Sequence, residues 1–69
     1  MVQFSPIEFL ILKRLCKDNK AISDELGITI SAVKSHIHSI INKLGAENRT
    51  RALLLSLLDD VIKINEVVL

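Results

Sequence analysis

An all-α chain of four helices is what this sequence predicts. Three observations predict it: apolar residues recur at helical spacing in four stretches, a side chain suited to capping opens each stretch, and glycine closes two of them. The stretches cover residues 6–17, 20–26, 30–44 and 49–63. They leave no internal repeat, low-complexity tract or linker, so one domain over residues 1–69 is expected.

The first helix has a dense start signal in Phe4-Ser5-Pro6-Ile7-Glu8-Phe9. Ser5 is the N-cap, Pro6 takes the first helical position, and Glu8 closes a capping box. Phe4 and Phe9 are spaced for a hydrophobic staple. Ile11, Leu12, Leu15 and Cys16 then form a core stripe, which makes Cys16 a small buried hydrophobe rather than a reactive thiol. Ile7 and Leu10 point away from the centre of that stripe, and either widen it or offer a surface to a partner.

Asp18-Asn19 breaks the chain and supplies a cap for the second helix, which buries Ala21, Ile22 and Leu26. Gly27 closes it, because glycine adopts the left-handed conformation of a helix end at little cost. Ile28 plugs the core and Thr29 caps the third helix.

That third helix carries two opposed faces. At about 100° per residue, Val33, Ile37, Ile40, Ile41 and Leu44 fall in one apolar arc, with Ile30 at its edge. The other side presents Ser31, Ser35, Ser39, His38 and Asn42, flanked by Lys34, Lys43 and His36, without one carboxylate. A solvated helix face ordinarily mixes charge signs, so an acid-free face is either merely polar or kept for a polyanion. A short helix, a glycine turn and a long amphipathic helix make a helix-turn-helix, whose second helix enters the DNA major groove while the first crosses the backbone.

Gly45-Ala46-Glu47 ends the third helix, and Asn48 caps the fourth. Leu53, Leu54, Leu55, Leu57, Leu58, Val61 and Ile62 cover far more than the roughly 100° arc of a helix facing one core, so one side is expected to meet another molecule. Asp59-Asp60 mark where the helix touches water, and the β-branched tail from Lys63 is where it frays or stops.

Composition bounds the function. A chain of 69 residues buries only roughly 60% of the surface that it exposes unfolded, yet 49% of it is hydrophobic. That surplus predicts an oligomer. The net charge of +1 leaves the question of nucleic acid to charge placement. One cysteine, Cys16, excludes an internal disulfide and a multi-cysteine metal site. No apolar run approaches the roughly 20 residues of a membrane span, and the N-terminus has no basic segment or small-residue cleavage site. A cytoplasmic protein without a membrane partner is expected. His36 and His38 lie about 200° apart on a helix and cannot grip one ion. No Walker loop, dinucleotide fingerprint or nucleophile elbow occurs, and Asp24-Glu25 and Asp59-Asp60 have the character of solvated faces. Neither catalysis, metal nor cofactor is expected.

The stretch from Phe4 to Leu53 resembles the LuxR-type (GerE-like) DNA-binding domain of bacterial transcription regulators. The specific pieces are Ile28-Thr29, Ala32-Val33-Lys34-Ser35-His36, Lys43-Leu44-Gly45 and Arg49-Thr50-Arg51-Ala52, all at that family's spacing. The chain departs from the pattern in three places. Ile7-Glu8-Phe9-Leu10 keeps one charge of an Arg-Glu-Arg-Glu-like stretch, the junction before Asn19-Lys20 is two residues short, and Ala21 replaces a glutamate. Most members attach this domain to a receiver or ligand-binding domain. With Met1 only a few residues before the first helix, either a free-standing module or a fragment is expected.

The resemblance implies double-stranded DNA as partner, with Lys34, Ser35 and His38 facing bases, and the helical wheel places the same three on the solvent arc. Lysine donates to guanine O6 or N7, serine is permissive, and histidine donates or accepts. Ser31, Asn42, Lys43, Thr29, Lys20 and Arg49 are placed for phosphates, helped by the exposed amides at the start of the third helix. Arg49 and Arg51 oppose their helix dipole and call for a phosphate or an acidic neighbour. The resemblance also implies a homodimer through the fourth helix, using some of Leu54, Leu57, Leu58, Val61 and Ile62, with recognition helices about 34 Å apart. A second expectation is a module that heterodimerises with a full-length regulator and modulates it. A third is an RNA-polymerase-associated domain similar to region 4 of sigma factors.

Overall fold

In a computed structural model of the chain, residues 3–69 are described, and Met1 and Val2, with which the expected single unit opens, lie outside the described residues. Four α-helices run in order: α1 (Pro6–Leu12), α2 (Asn19–Leu26), α3 (Ile30–Leu44) and α4 (Arg49–Leu58), then a single 3₁₀ turn at Ile64–Glu66. No strand occurs among the described residues. The longest helix, α3, is the element against which the other three pack.

Each helix begins as its sequence dictates. Ser5 Oγ accepts from the Glu8 amide at 3.2 Å, and the Ser5 amide donates to Glu8 Oε1 at 2.8 Å, completing the capping box. The Phe4 and Phe9 rings meet edge to face, 5.8 Å between centroids. Asp18, Thr29 and Asn48 each accept from the backbone amide three residues on, at 2.8, 3.0 and 2.9 Å. Gly27 and Gly45 sit at φ +66° and +65°, where a side chain would be strained.

The core is Ile11, Leu12, Leu15, Ile22, Val33, Ile37, Ile40, Ala52 and Ile62, all buried. The apolar arc of α3 is therefore the anchor that its periodicity predicts, with Ile41 and Leu44 packed at its margin. Ile30 departs from the arc and is 41% exposed.

Two helices are shorter than expected. The first, expected over residues 6–17, ends at Leu12, and the chain turns through Cys16. Beyond Leu12 the amides of Arg14, Leu15 and Lys17 bond three residues back, at 2.9, 3.4 and 2.9 Å, in the tighter 3₁₀ pattern. The carbonyls of that turn serve partners outside the helix: Lys13 accepts from the Val68 amide, and Leu15 and Lys17 accept from Arg49. Cys16 consequently leaves the stripe that would have buried it and is exposed.

The fourth helix, expected over residues 49–63, ends at Leu58. Asp60 takes φ +57°, and the amides of Val61 and Ile62 turn back onto the Ser56 carbonyl at 2.8 and 3.2 Å. This is a Schellman-type ending with aspartate where glycine is usual. It swings Ile62 inward to 1% exposure and lays the tail over the α1 end, where Lys13 Nζ lies 3.3 Å from Glu66 Oε2.

Candidate nucleic-acid interface

The turn between α2 and α3 is held chiefly by Ser23. Its carbonyl accepts from the amides of both Gly27 and Ile28, the latter at 3.2 Å, and its hydroxyl donates to the Ile28 carbonyl. Ile28 is half-buried against the core and Thr29 caps α3. The α2–turn–α3 unit is thus the helix-turn-helix that the sequence predicts, with its second helix pinned by Val33, Ile37 and Ile40.

Away from the pinned face, Thr29, Ser31, Lys34, Ser35, His38 and Asn42 are all exposed. Five of them, Ser31, Lys34, Ser35, His38 and Asn42, share one arc of α3 at about 100° per residue, and Thr29 stands at the start of the helix as its cap. None of them bonds to an acidic side chain among the described residues. Thr29 Oγ1 is already engaged with the Ala32 amide. His36 is half-buried on the flank. Among the described residues no group of three or more metal-ligating side chains comes together.

The other three sequence-predicted contact residues have partners within the chain. Lys20 Nζ lies 3.0 Å from Asp24 Oδ2, one turn along α2, and the aspartate raises the lysine's pKa through that hydrogen bond. Both side chains remain mostly exposed, so the pair is loosely held. Lys43 is exposed on the flank of α3, with Nζ engaged 2.6 Å from Glu8 Oε1 and 3.1 Å from the Gln3 carbonyl. The Arg49 guanidinium donates to the carbonyls of Leu15 at 3.2 Å and Lys17 at 2.6 Å and to Asn19 Oδ1 at 2.7 Å. These acceptors, rather than a phosphate or an acid, compensate the unfavourable dipole at the start of α4.

Of the residues expected at a dimer contact, Leu54 and Leu58 are 47% and 69% exposed. Leu57 and Val61 pack partly against the chain's own core. Ile62 is a correction: it lies inside that core and presents nothing to a second copy, because the chain has turned inward after Asp60.

Sequence reasoning missed the reach of Glu8. The residue is 4% exposed, and its carboxylate accepts from Ser39 Oγ at 2.9 Å as well as from Lys43 and the Ser5 amide. Burial pushes its pKa up, but the donated hydrogen bonds from Lys43, Ser5 and Ser39 outweigh burial and hold it at about 2. The only sequence signal was its place in the capping box, which says nothing of partners more than thirty residues away. The exposure of Ile30 at the head of α3 was missed too, since the wheel put it at the edge of the buried arc.

Glu25 gathers Arg14 and Lys17, at 3.2 and 2.5 Å, and chiefly the Lys17 hydrogen bond lowers its pKa. Among the described residues, Lys34, Arg51 and Lys63 are the cationic side chains other than Arg49 without an acidic partner.

Residues 2–56 match the family model of bacterial regulatory proteins of the luxR family, GerE. Among curated proteins, the chain is similar to the transcriptional regulatory protein YdfI of Bacillus subtilis (strain 168), 37% identical over an alignment of 65 residues that covers 91% of this chain and 30% of that protein. It is also similar to the transcriptional regulatory protein LiaR of the same organism, 48% identical over 46 residues, 67% of this chain and 22% of that one. The chain thus spans less than a third of the length of either relative. No solved structure matches it. With the family pattern running from α1 into α4 and an all-α fold around a helix-turn-helix, this chain belongs to the luxR family of bacterial regulatory proteins.

Proposed function

We propose that the chain is the DNA-binding unit of a transcription regulator and that it reads a specific sequence by laying α3 in the major groove of double-stranded DNA. One observation carries this: Ser31, Lys34, Ser35, His38 and Asn42 stand exposed along one arc of α3 while the opposite arc is the hydrophobic core. Lys34, Ser35 and His38, in the middle of the arc, meet base edges, and Ser31, Asn42 and the amide end of α3 meet phosphate. Lys20 joins them when its exposed pair with Asp24 opens. The names of YdfI and LiaR, both transcriptional regulatory proteins, support the regulatory part.

A homodimer forms through α4, where Leu54 and Leu58 are one turn apart and exposed. A two-fold site with recognition helices about 34 Å apart is the consequence.

The test is binding to genomic fragments in competition with random duplex. Lys34→Ala with His38→Ala is expected to abolish the preference for the selected fragment while the circular dichroism of the fold persists. Unchanged discrimination overturns the assignment. A second reading, a module that pairs with a full-length regulator, draws on the same exposed leucines and on how many cations already hold acidic partners. Salt separates the two, because phosphate contacts weaken steeply as salt rises and apolar pairing does not.

A further inference from the structure

We propose that Glu8 withholds Lys43 from DNA: this lysine, although on the recognition helix, makes no phosphate contact and acts with Glu8 as a positioning pair that sets how α3 is rotated in the groove. The inference rests on the DNA-binding reading above.

The geometry has three parts. The Lys43 ammonium has one compact charge and three donors. It meets the Glu8 carboxylate at 2.6 Å and the Gln3 carbonyl at 3.1 Å, and it stands 5.6 Å from the centroid of the Phe4 ring. The carboxylate has its side chain 5% exposed, so a departing lysine would strand a buried charge. Lys20 is the contrast, since its partner Asp24 is mostly solvated and loses little when the pair opens.

Direction agrees with pairing. Lys43 lies nine residues after Lys34, and at about 100° per residue this is half a turn away around α3. Ser39, one helical turn before Lys43, donates to the other oxygen of the same carboxylate at 2.9 Å. Glu8 therefore grips α3 at two points one turn apart, on the flank away from Lys34. A helix held at two points along one flank cannot roll about its axis, and its roll decides which side chains face base edges.

The test measures fluorescence anisotropy of a random-sequence duplex of about two helical turns against the full chain over a series of potassium chloride concentrations. Each phosphate contact contributes about 0.9 to the slope of log affinity against log salt. Lys20→Ala, which removes the lysine assigned to phosphate, is expected to flatten that slope by about 0.9 and Lys43→Met to leave it unchanged. Glu8→Gln keeps a side chain suited to the capping box but frees the ammonium, and is expected to steepen the slope by about 0.9. The double variant Glu8→Gln with Lys43→Met removes both charges together and is expected to match the wild type. That variant carries the test if either single variant fails to fold by circular dichroism. Flattening in Lys43→Met or in the double variant, or an unchanged slope in folded Glu8→Gln, overturns the inference while leaving the DNA reading intact. Absence of any duplex binding by the wild type removes the DNA reading and this inference with it.

Discussion

The guanidinium of Arg49 reaches Asn19 Oδ1 at 2.7 Å, joining the first residue of α4 to the first residue of α2. The same group donates to the carbonyls of Leu15 and Lys17, so one side chain secures the turn between α1 and α2 and the entry to α4. A planar fork with donors in fixed directions suits three acceptors in different places; an ammonium on a flexible stem does not.

Arg49→Lys should therefore destabilise the fold by about 1–3 kcal/mol, the cost of leaving part-buried acceptors without a charged donor. Urea unfolding tracked by circular dichroism measures it. The salt dependence of duplex binding should stay that of the wild type at temperatures where the variant is folded. A flattened salt slope would restore the phosphate role that the sequence assigned to this arginine.

Glu8 makes stability depend on acid. Its folded pKa of about 2 lies below the ordinary 4.5, so its contribution is complete above the unfolded value and is lost as pH falls through the folded one. Stability should be flat above about pH 5 and decline toward pH 2, by at most about 3 kcal/mol from this group. Glu66 and Glu25, lowered chiefly by the Lys63 amide and by Lys17, pull the same way, but they are exposed and contribute little. Thermal melts of wild type and Glu8→Gln across that range should converge at the acid end.

What the sequence makes legible here is local. Ser5, Asp18, Thr29 and Asn48 cap by bonding three residues on, and Gly27 and Gly45 close helices through their own backbone freedom, so both signals need no knowledge of the rest of the fold. The exposed arc of α3 is set by the period of its apolar residues. The ends of α1 and α4 are different in kind. Nothing near Leu12 breaks a helix; the chain leaves it because Arg49 and Val68, far along the sequence, take the carbonyls of Leu15, Lys17 and Lys13. At Leu58 the stop depends on Asp60 adopting a conformation that aspartate tolerates but does not announce. The misplacements of Cys16 and Ile62, and the internal partners of Lys43 and Arg49, all descend from contacts of this long-range sort or from those two unforeseen ends.

Ile62 gives the tail its purpose in the fold. It is 1% exposed in a core otherwise drawn from the helices and the turn after α1, and it arrives there only because the chain reverses after Asp60. Ile62→Ala should cost about 2–4 kcal/mol through lost contact and the cavity left behind. Ile64, two residues on and 75% exposed, is the internal control, and Ile64→Ala should change stability by less than about 0.5 kcal/mol. Equal effects in denaturant titrations would show that the tail is not a structural plug.

Leu58 tests association separately from folding. With Ile62 inside the core and Leu57 and Val61 packed partly against it, the apolar surface that α4 leaves open is centred on Leu54 and Leu58. A glutamate at 69% exposure costs the monomer little, whereas in a two-fold contact it meets its own copy and places like charges in an apolar seam. Leu58→Glu is therefore expected to shift sedimentation from dimer to monomer with its melting point, measured at low concentration, nearly unchanged. If α4 is the seam, binding to a two-fold DNA site should weaken about tenfold or more, while binding to a half-site stays at the wild-type level. A variant that remains dimeric would place the contact elsewhere. The exposed Ile64 and Leu69 of the tail would then be the next surface to mutate.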